Sequence, residues 1–342
     1  MRKCNKANES ALFNAISENA TLYVPVDLEK GRVAYRKYTD GMVISNALKT
    51  DRSAKDFFFP QTENLMEFRT EGKNIEVIDS RKQSEDFVIF GVRGCDVKSI
   101  EVLDKVFLAE PVDSYYQTKR EHGVIISMAC ARPEETCFCG TFGIDASAPA
   151  GDIVCYKTDD AYYFDAKTEK GKALMAKLES VTEECDDKAV KEQIASIKNI
   201  LNKLPLKDLK ADAFGAGKTD EFFDRPEWKT LSESCLGCGT CTFVCPTCQC
   251  YDIKDFKTNK GVERFRCWDS CMYSDFTKMS AGQPRLSQVE RFRQRFMHKL
   301  VYFPTNNDGM FSCVGCGRCV AKCPISMNIV KVMKTLGGDK ND

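Results

Sequence analysis

Two short cysteine runs constrain this chain more than anything else in it. CLGCGTCTFVCP sets Cys235, Cys238, Cys241 and Cys245 at the spacing C-x2-C-x2-C-x3-C-P, and CVGCGRCVAKCP repeats it with Cys313, Cys316, Cys319 and Cys323. Three cysteines two residues apart let one loop wrap three corners of a cubane. The fourth, before proline, ligates the other cluster in two-cluster ferredoxins. The spacing therefore predicts one [4Fe-4S] cluster on Cys235, Cys238, Cys241 and Cys323 and a second on Cys313, Cys316, Cys319 and Cys245. Gly237, Gly239, Gly315 and Gly317 are expected to remove Cβ bulk where backbone approaches the sulfurs. Structural zinc also uses paired C-x2-C, but a tetrahedral site needs four ligands and leaves the third cysteine of each run and the Cys-Pro step unexplained.

Cysteine distribution then divides the chain. Of 19 cysteines in 342 residues, twelve lie between Cys235 and Cys323 and seven precede them. The opening MRKCNKANES lacks the apolar core of an export signal, so clustered thiols read as ligands in a reducing cytoplasm rather than as disulfides. No apolar run reaches the 18 or more residues of a membrane span. Fifty Lys plus Arg balance fifty Asp plus Glu. That neutrality argues against nucleic acid as a partner.

Before the runs, strand-like and helix-like patterns alternate. A helix is expected over residues 9–18 and a strand over 21–26. DFVIFGV (86–92), the helical-period DVKSIEVLDKVFL and HGVIISMA (122–129) form a strand–helix–strand unit, which predicts parallel neighbouring strands. DIVCYKT and AYYFDAK predict a hairpin. From Lys188 to Leu204, Val190, Ile194, Ile197, Leu201 and Leu204 predict an amphipathic helix packing on this domain. The expected architecture is an α/β (α+β) domain with a partly parallel sheet at 1–204, a linker at 205–227, and a helical, bacterial-type 2[4Fe-4S] ferredoxin-like domain with a long insertion at 228–342. GAGKT at 215–219 lacks the earlier glycine of a phosphate loop, since Asp212 stands there.

Two further cysteine sets call for an explanation. Cys95 and Cys130 follow the two predicted parallel strands, at the edge where open α/β sheets place their sites. With Cys137 and Cys139 they could hold an additional [4Fe-4S] cluster; buried structural thiols or zinc are the alternatives. Cys248, Cys250, Cys267 and Cys271 form a second set with unusual spacing and could hold another. Cys4, Cys155 and Cys185 are expected only to pack. The 67 residues between the runs are basic in part, with eleven Lys or Arg against five Asp or Glu over residues 254–299. Phe292, Phe296 and Leu300 predict a basic amphipathic helix there, either a solvated cover over the clusters or a docking surface for an acidic partner.

FGVRGCDVKSIEVLDKVFL, CFCG, CLGCGTCTFVCPTCQCYDI, WDSC and CVGCGRCVAKCP, in this order, resemble the iron–sulfur subunit of anaerobic sulfite reductase, and equally the beta subunit of soluble NiFe sulfhydrogenases. The resemblance runs from about residue 57 to 331. It departs from the family at Gly94, at Thr141 and Phe142, and at Gly282 and Gln283, and it supports Cys248, Cys250 and Cys271 as ligands more than Cys267. It implies a relay subunit in a hetero-oligomer, between an FAD-containing, NAD(P)H-oxidising subunit (or ferredoxin) and a terminal reductase or hydrogenase subunit. Sulfite reduction is the leading expectation, and hydrogen turnover or service in a related flavin oxidoreductase complex the alternative. No catalytic triad or Rossmann fingerprint accompanies the cysteines, so a non-catalytic role is expected. A stand-alone redox enzyme acting at the Cys95, Cys130, Cys137 and Cys139 site, and a zinc-holding structural module, are the competing classes.

Overall fold

The structure is a computed structural model that describes residues 1–338. In chain order its strands are β1 (Arg2–Asn5), β2 (Thr21–Leu28), β3 (Arg32–Lys37), β4 (Thr62–Glu71), β5 (Asn74–Asp79) and β6 (Phe87–Arg93). They continue with β7 (Gly123–Met128), β8 (Ile153–Lys157), β9 (Ala161–Ala166), β10 (Glu183–Glu184), β11 (Tyr251–Thr258) and β12 (Gly261–Trp268). Eight of them form one sheet in the order β10-β1-β9-β8-β7-β6-β2-β3, and four form another in the order β11-β12-β4-β5.

Apolar sequence decides the centre of the large sheet. β2, β6, β7 and β8 are parallel neighbours, flanked by antiparallel strands. In β6, Val88 and Phe90 enter one core with Leu12, Phe13 and Ile16 of the helix Glu9–Asn19, while Ile89 and Val92 enter another with Val97, Ile100 and Leu103 of the helix Gly94–Phe107. A strand covered on both faces needs the unbroken apolar run that marks it in the sequence. The expected hairpin is β8–β9. The helix Lys188–Leu201 covers Ala129, Val154 and Tyr156 with Val190 and Ile197. Between the parallel strands β7 and β8 the chain uses an irregular loop with one short 3-10 turn, Cys139–Phe142. That loop carries three of the candidate ligands.

The small sheet draws on both halves of the chain. β4 and β5 come before the large sheet is complete, and β11 and β12 come from the segment between the cysteine runs. Arg266 on β12 is 2% exposed, pairs with Glu63 of β4 at 2.6 Å and also bonds Asp113. A buried guanidinium with two carboxylates fixes this pairing, because leaving the guanidinium unpaired costs several kcal/mol, about 3–5.

The C-terminal region is organised by the helices Glu227–Glu233, Gln288–Met297 and Ile329–Gly337 around one core. The helix Gln288–Met297 begins with a capping box, Ser287 and Glu290 each closing on the other's backbone N–H. It buries Phe292 and Phe296, as its periodicity predicts, and continues through a π turn, His298–Tyr302, that buries Leu300. The region is not purely helical, since its long insertion contributes β11 and β12. The segment 205–227, expected as a linker, packs tightly: Leu209, Ala211, Phe214 and Phe222 are buried in the same core as Trp228 and Leu231. Among the described residues no helix is long and apolar enough to cross a membrane.

Candidate metal centres

Each run folds as a loop closed by one short helix, Thr240–Phe243 or Arg318–Ala321. Cys313, Cys316 and Cys319 of the second run line one small cavity with Cys245 of the first. This is the crossed set expected from spacing. Arg295 and Lys299 line the same cavity. Cys235, Cys241 and Cys323 border the C-terminal apolar core, as do Cys313 and Cys319, and Cys238 is exposed; among the described residues no cavity joins the four cysteines of the first expected set. Hydrogen bonding from Thr240, whose hydroxyl is 3.4 Å from Cys238 Sγ, holds that thiol below its ordinary range.

The four N-terminal cysteines also meet. Cys95 lies in the first turn of the helix after β6, Cys130 follows β7, and Cys137 and Cys139 sit on the β7–β8 loop; all four line one cavity. Burial pushes the Cys130 thiol up to about 12 and the Cys139 thiol up to about 11, with neighbouring cysteines adding to both. The two cavities share Gly315 and Cys316 in their walls. Lys49 spans the joint: its Nζ donates to the Cys316 carbonyl at 2.8 Å, lies 3.8 Å from Cys137 Sγ and pairs with Glu134 at 2.9 Å. Arg318, beside the second run, forms a bidentate pair with Asp96 beside Cys95, at 2.5 and 2.7 Å, with both side chains 2% exposed.

The glycines of the second run have a use that spacing did not show. A Cβ on Gly315 would stand 2.4 Å from the Phe138 carbonyl oxygen, and one on Gly317 would stand 2.4 Å from that of Thr136. Both have positive φ, +57° and +74°. The bulk they remove is therefore bulk against the loop of Cys137 and Cys139, to which Gly315 is tied by the Phe138 N–H on its carbonyl at 2.9 Å.

Of the remaining set, three cysteines come together. Cys248 shares a hydrogen bond with Cys245, which lowers the Cys245 thiol and raises that of Cys248. Cys250 shares one with Cys271, to the same effect. Cys267 sits on β12 opposite Asp252 and Thr62, and among the described residues no contact joins it to these thiols. Cys4 and Cys155 are buried in the core of the large sheet, as expected of packing residues.

Three buried cations surround the Cys245 cavity. Lys55, 2% exposed, donates to the carbonyls of Cys245 at 3.1 Å and Cys248 at 2.9 Å, and its Nζ lies 3.5 Å from the Trp268 ring centre. Burial lowers its ammonium to about 8, against the pull of the Cys248 and Cys245 sulfurs. Lys299 donates to Thr247 Oγ1 at 2.8 Å and the Ser312 carbonyl at 3.2 Å; burial opposes its charge, yet the Cys245 and Cys248 sulfurs raise it. Arg295 donates to the Cys241 carbonyl at 3.1 Å, while its Nε and Nη1 are buried without a partner. The basic helix thus turns Arg295 and Lys299 inward, not to solvent. Spacing could not reveal this, although both residues lie on the helix face of Phe292 and Phe296.

This donor set fits an anionic, multi-atom thiolate cluster. Buried cations without an ion pair, one with orphaned donors, are costly unless a negative group lies beside them.

Comparison with known proteins agrees. Residues 234–327 match the 4Fe-4S dicluster domain family. Across nearly the whole chain, the sequence is 32% identical over 334 residues to sulfhydrogenase 2 subunit beta of Pyrococcus furiosus, covering 94% of this chain and 93% of that one. The chain belongs to the sulfhydrogenase subunit beta family. No solved structure matches it. Of the two families that the motifs resemble, the comparison favours the sulfhydrogenase and gives no support to sulfite reduction. The similarity also takes in the N-terminal domain, so the Cys95, Cys130, Cys137 and Cys139 loops lie within the part of the sulfhydrogenase beta subunit to which this chain aligns.

Proposed function

We propose that this chain is the iron–sulfur electron-relay subunit of a sulfhydrogenase-like complex, connecting an NAD(P)H- and FAD-linked subunit to a hydrogenase subunit. On this reading Cys235, Cys238, Cys241 and Cys323 hold one [4Fe-4S] cluster, Cys313, Cys316, Cys319 and Cys245 a second, and Cys95, Cys130, Cys137 and Cys139 a third. Bound clusters supply reversible one-electron carriers whose potentials respond to burial, charge and hydrogen bonds. The chain's own residues do the rest. Cysteines fix the positions, the apolar core keeps water away, and Lys55, Arg295 and Lys299 offset negative charge. The observation that supports the proposal is the wall of Gly315 and Cys316 common to two cysteine cavities; on this reading they are consecutive stations.

Iron quantitation and EPR on anaerobically purified protein test the relay. Three cubanes require about twelve irons per chain, and Cys130→Ala should lose about four of them while Cys155→Ala loses none. Unchanged iron in Cys130→Ala removes the third cluster; an iron-poor protein carrying zinc removes the relay altogether.

A further inference from the structure

A second cavity of about 620 Å³ opens at the carboxyl ends of the parallel strands, beside the N-terminal cysteines. Arg93 at the end of β6, Met128 at the end of β7 and Lys157 at the end of β8 form its floor, and the helix Lys188–Leu201 forms a wall with Gln193 and Ile197. This is the position at which open α/β sheets bind small molecules, and its size lies in the usual range of about 300–1,000 Å³. It is separated from the cysteine cavity by Leu48 and Arg93, which line both.

Its charge is unusual. Lys6, Arg93, Arg132 and Lys157 line it, against Asp159 and Glu192, both exposed. Among the described residues none of the four cations has a salt bridge. Arg93 gives its donors to the carbonyls of Ala47, Leu48 and Ala129, and Lys157 donates to Asn46 Oδ1 at 2.7 Å. Burial lowers the Lys157 pKa, and the nearby charges of Lys6 and Arg93 lower it further against the opposing pull of Glu9. Like charges gathered in a partly desolvated cleft repel, and an anion between them relieves that repulsion. The remaining lining mixes polar side chains, Ser45, Asn46, Thr158 and Ser196, with apolar ones that include Ile44, Met128 and Ile197. One polar atom stands apart: Gln193 spends its Nε2 on the Lys157 carbonyl, leaving its Oε1 buried with no partner. The cleft thus offers an apolar slot, a positive end and a free acceptor.

We propose that this cleft binds a phosphate-bearing aromatic redox cofactor, a flavin mononucleotide or a nicotinamide nucleotide, with the phosphate at Lys6 and Lys157, the ring against Met128 and Ile197, and an N–H of the flavin ring or of the nicotinamide carboxamide donating to Gln193 Oε1. Any redox role for it rests on the third cluster proposed above, but binding does not, so the two can fail separately.

The test is equilibrium dialysis of the anaerobically purified full-length chain against FMN, riboflavin, NADPH and inorganic phosphate. One equivalent of FMN or of NADPH should bind per chain, and whichever binds names the source. The double substitution Lys6→Gln with Lys157→Gln should weaken that binding by at least about tenfold, the loss expected when charge-assisted hydrogen bonds are removed, with iron content unchanged. If FMN is the ligand, riboflavin should bind at least about tenfold more weakly, because it lacks the anion. Binding of neither nucleotide, binding of inorganic phosphate alone, equal binding by the double variant, or riboflavin as tight as FMN would each overturn the proposal. Gln193→Leu gives a second check that spares the charges: it should weaken the nucleotide and leave circular dichroism unaltered, and undiminished binding would count against the ring placement.

Discussion

Lys299 shows how far a residue's role can lie from its appearance in the sequence. There it is one more charge on a basic helix; in the fold it is buried, 3% exposed, beside the Cys245 cavity. A unit charge a few ångströms from a redox centre, at the effective dielectric of a protein interior, is worth on the order of 2–3 kcal/mol. Lys299→Met keeps most of the volume and removes the charge, so it should lower the midpoint potential of the adjoining cluster by on the order of 100 mV. An EPR-monitored redox titration reads this directly, and an unmoved midpoint would deny the charge its tuning role. His298, next to it, answers to pH instead. Burial, with Lys299 and Arg285 nearby, lowers it to about 4, below the ordinary value of about 6.5. The unfolded chain therefore binds the proton first, and the stability that neutral His298 allows is complete above about pH 6.5 and falls away as pH drops toward 4. Between pH 7.5 and 5.5 the wild type should lose about 1 kcal/mol more than His298→Gln, measured as the shift in urea midpoint of the two proteins.

Among the elements, the loops of the cysteine runs are the least tolerant of change. Gly315→Ala would drive a methyl group into the Phe138 carbonyl and force a left-handed backbone on alanine. It should cost about 1–3 kcal/mol and release iron from the Cys137 and Cys139 side. Gly140, where an added methyl group would meet nothing within 4 Å, is the control, and Gly140→Ala should keep both stability and iron. Equal iron retention in the two variants would show that the loop-to-loop contact does not matter. Legibility also varies with the element. β6 and the helix Gly94–Phe107 are plain in the sequence, because one is apolar throughout and the other keeps helical period. β11 is not, since YDIKDFKT is exposed and charged and its sheet is completed by β12 and then β4, nearly 200 residues earlier.

For the whole molecule, the sequence suggests two domains on a linker, whereas the structure interlocks them. β12 pairs with β4, Arg318 with Asp96, and the segment 205–227 fills the C-terminal core. A fragment of residues 228–342 lacks Leu209, Phe214 and Phe222 and would leave the apolar surface around Trp228 and Leu231 uncovered. Each large side chain kept from burial forfeits roughly 1.5–3 kcal/mol. That fragment should be insoluble or iron-free, and a fragment starting at 205 should recover only part of the loss, because the partners of β12 and Arg318 are still missing. Soluble yield and iron per chain measure both. A fully iron-loaded 228–342 fragment would restore the two-domain picture.

Legible in the linear chain are the two ferredoxin-type cysteine runs, the parallel strands β6 and β7 and a packing helix that begins at Lys188 and is expected to run to Leu204 but ends at Leu201. These rest on spacing and periodicity, which are local and survive in a linear text. Tertiary structure alone decided that Cys95, Cys130, Cys137 and Cys139 share a wall with Cys316, that Lys55 and Lys299 are buried around Cys245, and that Cys267 stands apart from Cys248, Cys250 and Cys271. The two lysines reach backbone and hydroxyl oxygens around Cys245 rather than the sulfurs themselves; each of these facts depends on which distant backbone meets which, and a buried charge looks in sequence the same as a solvated one.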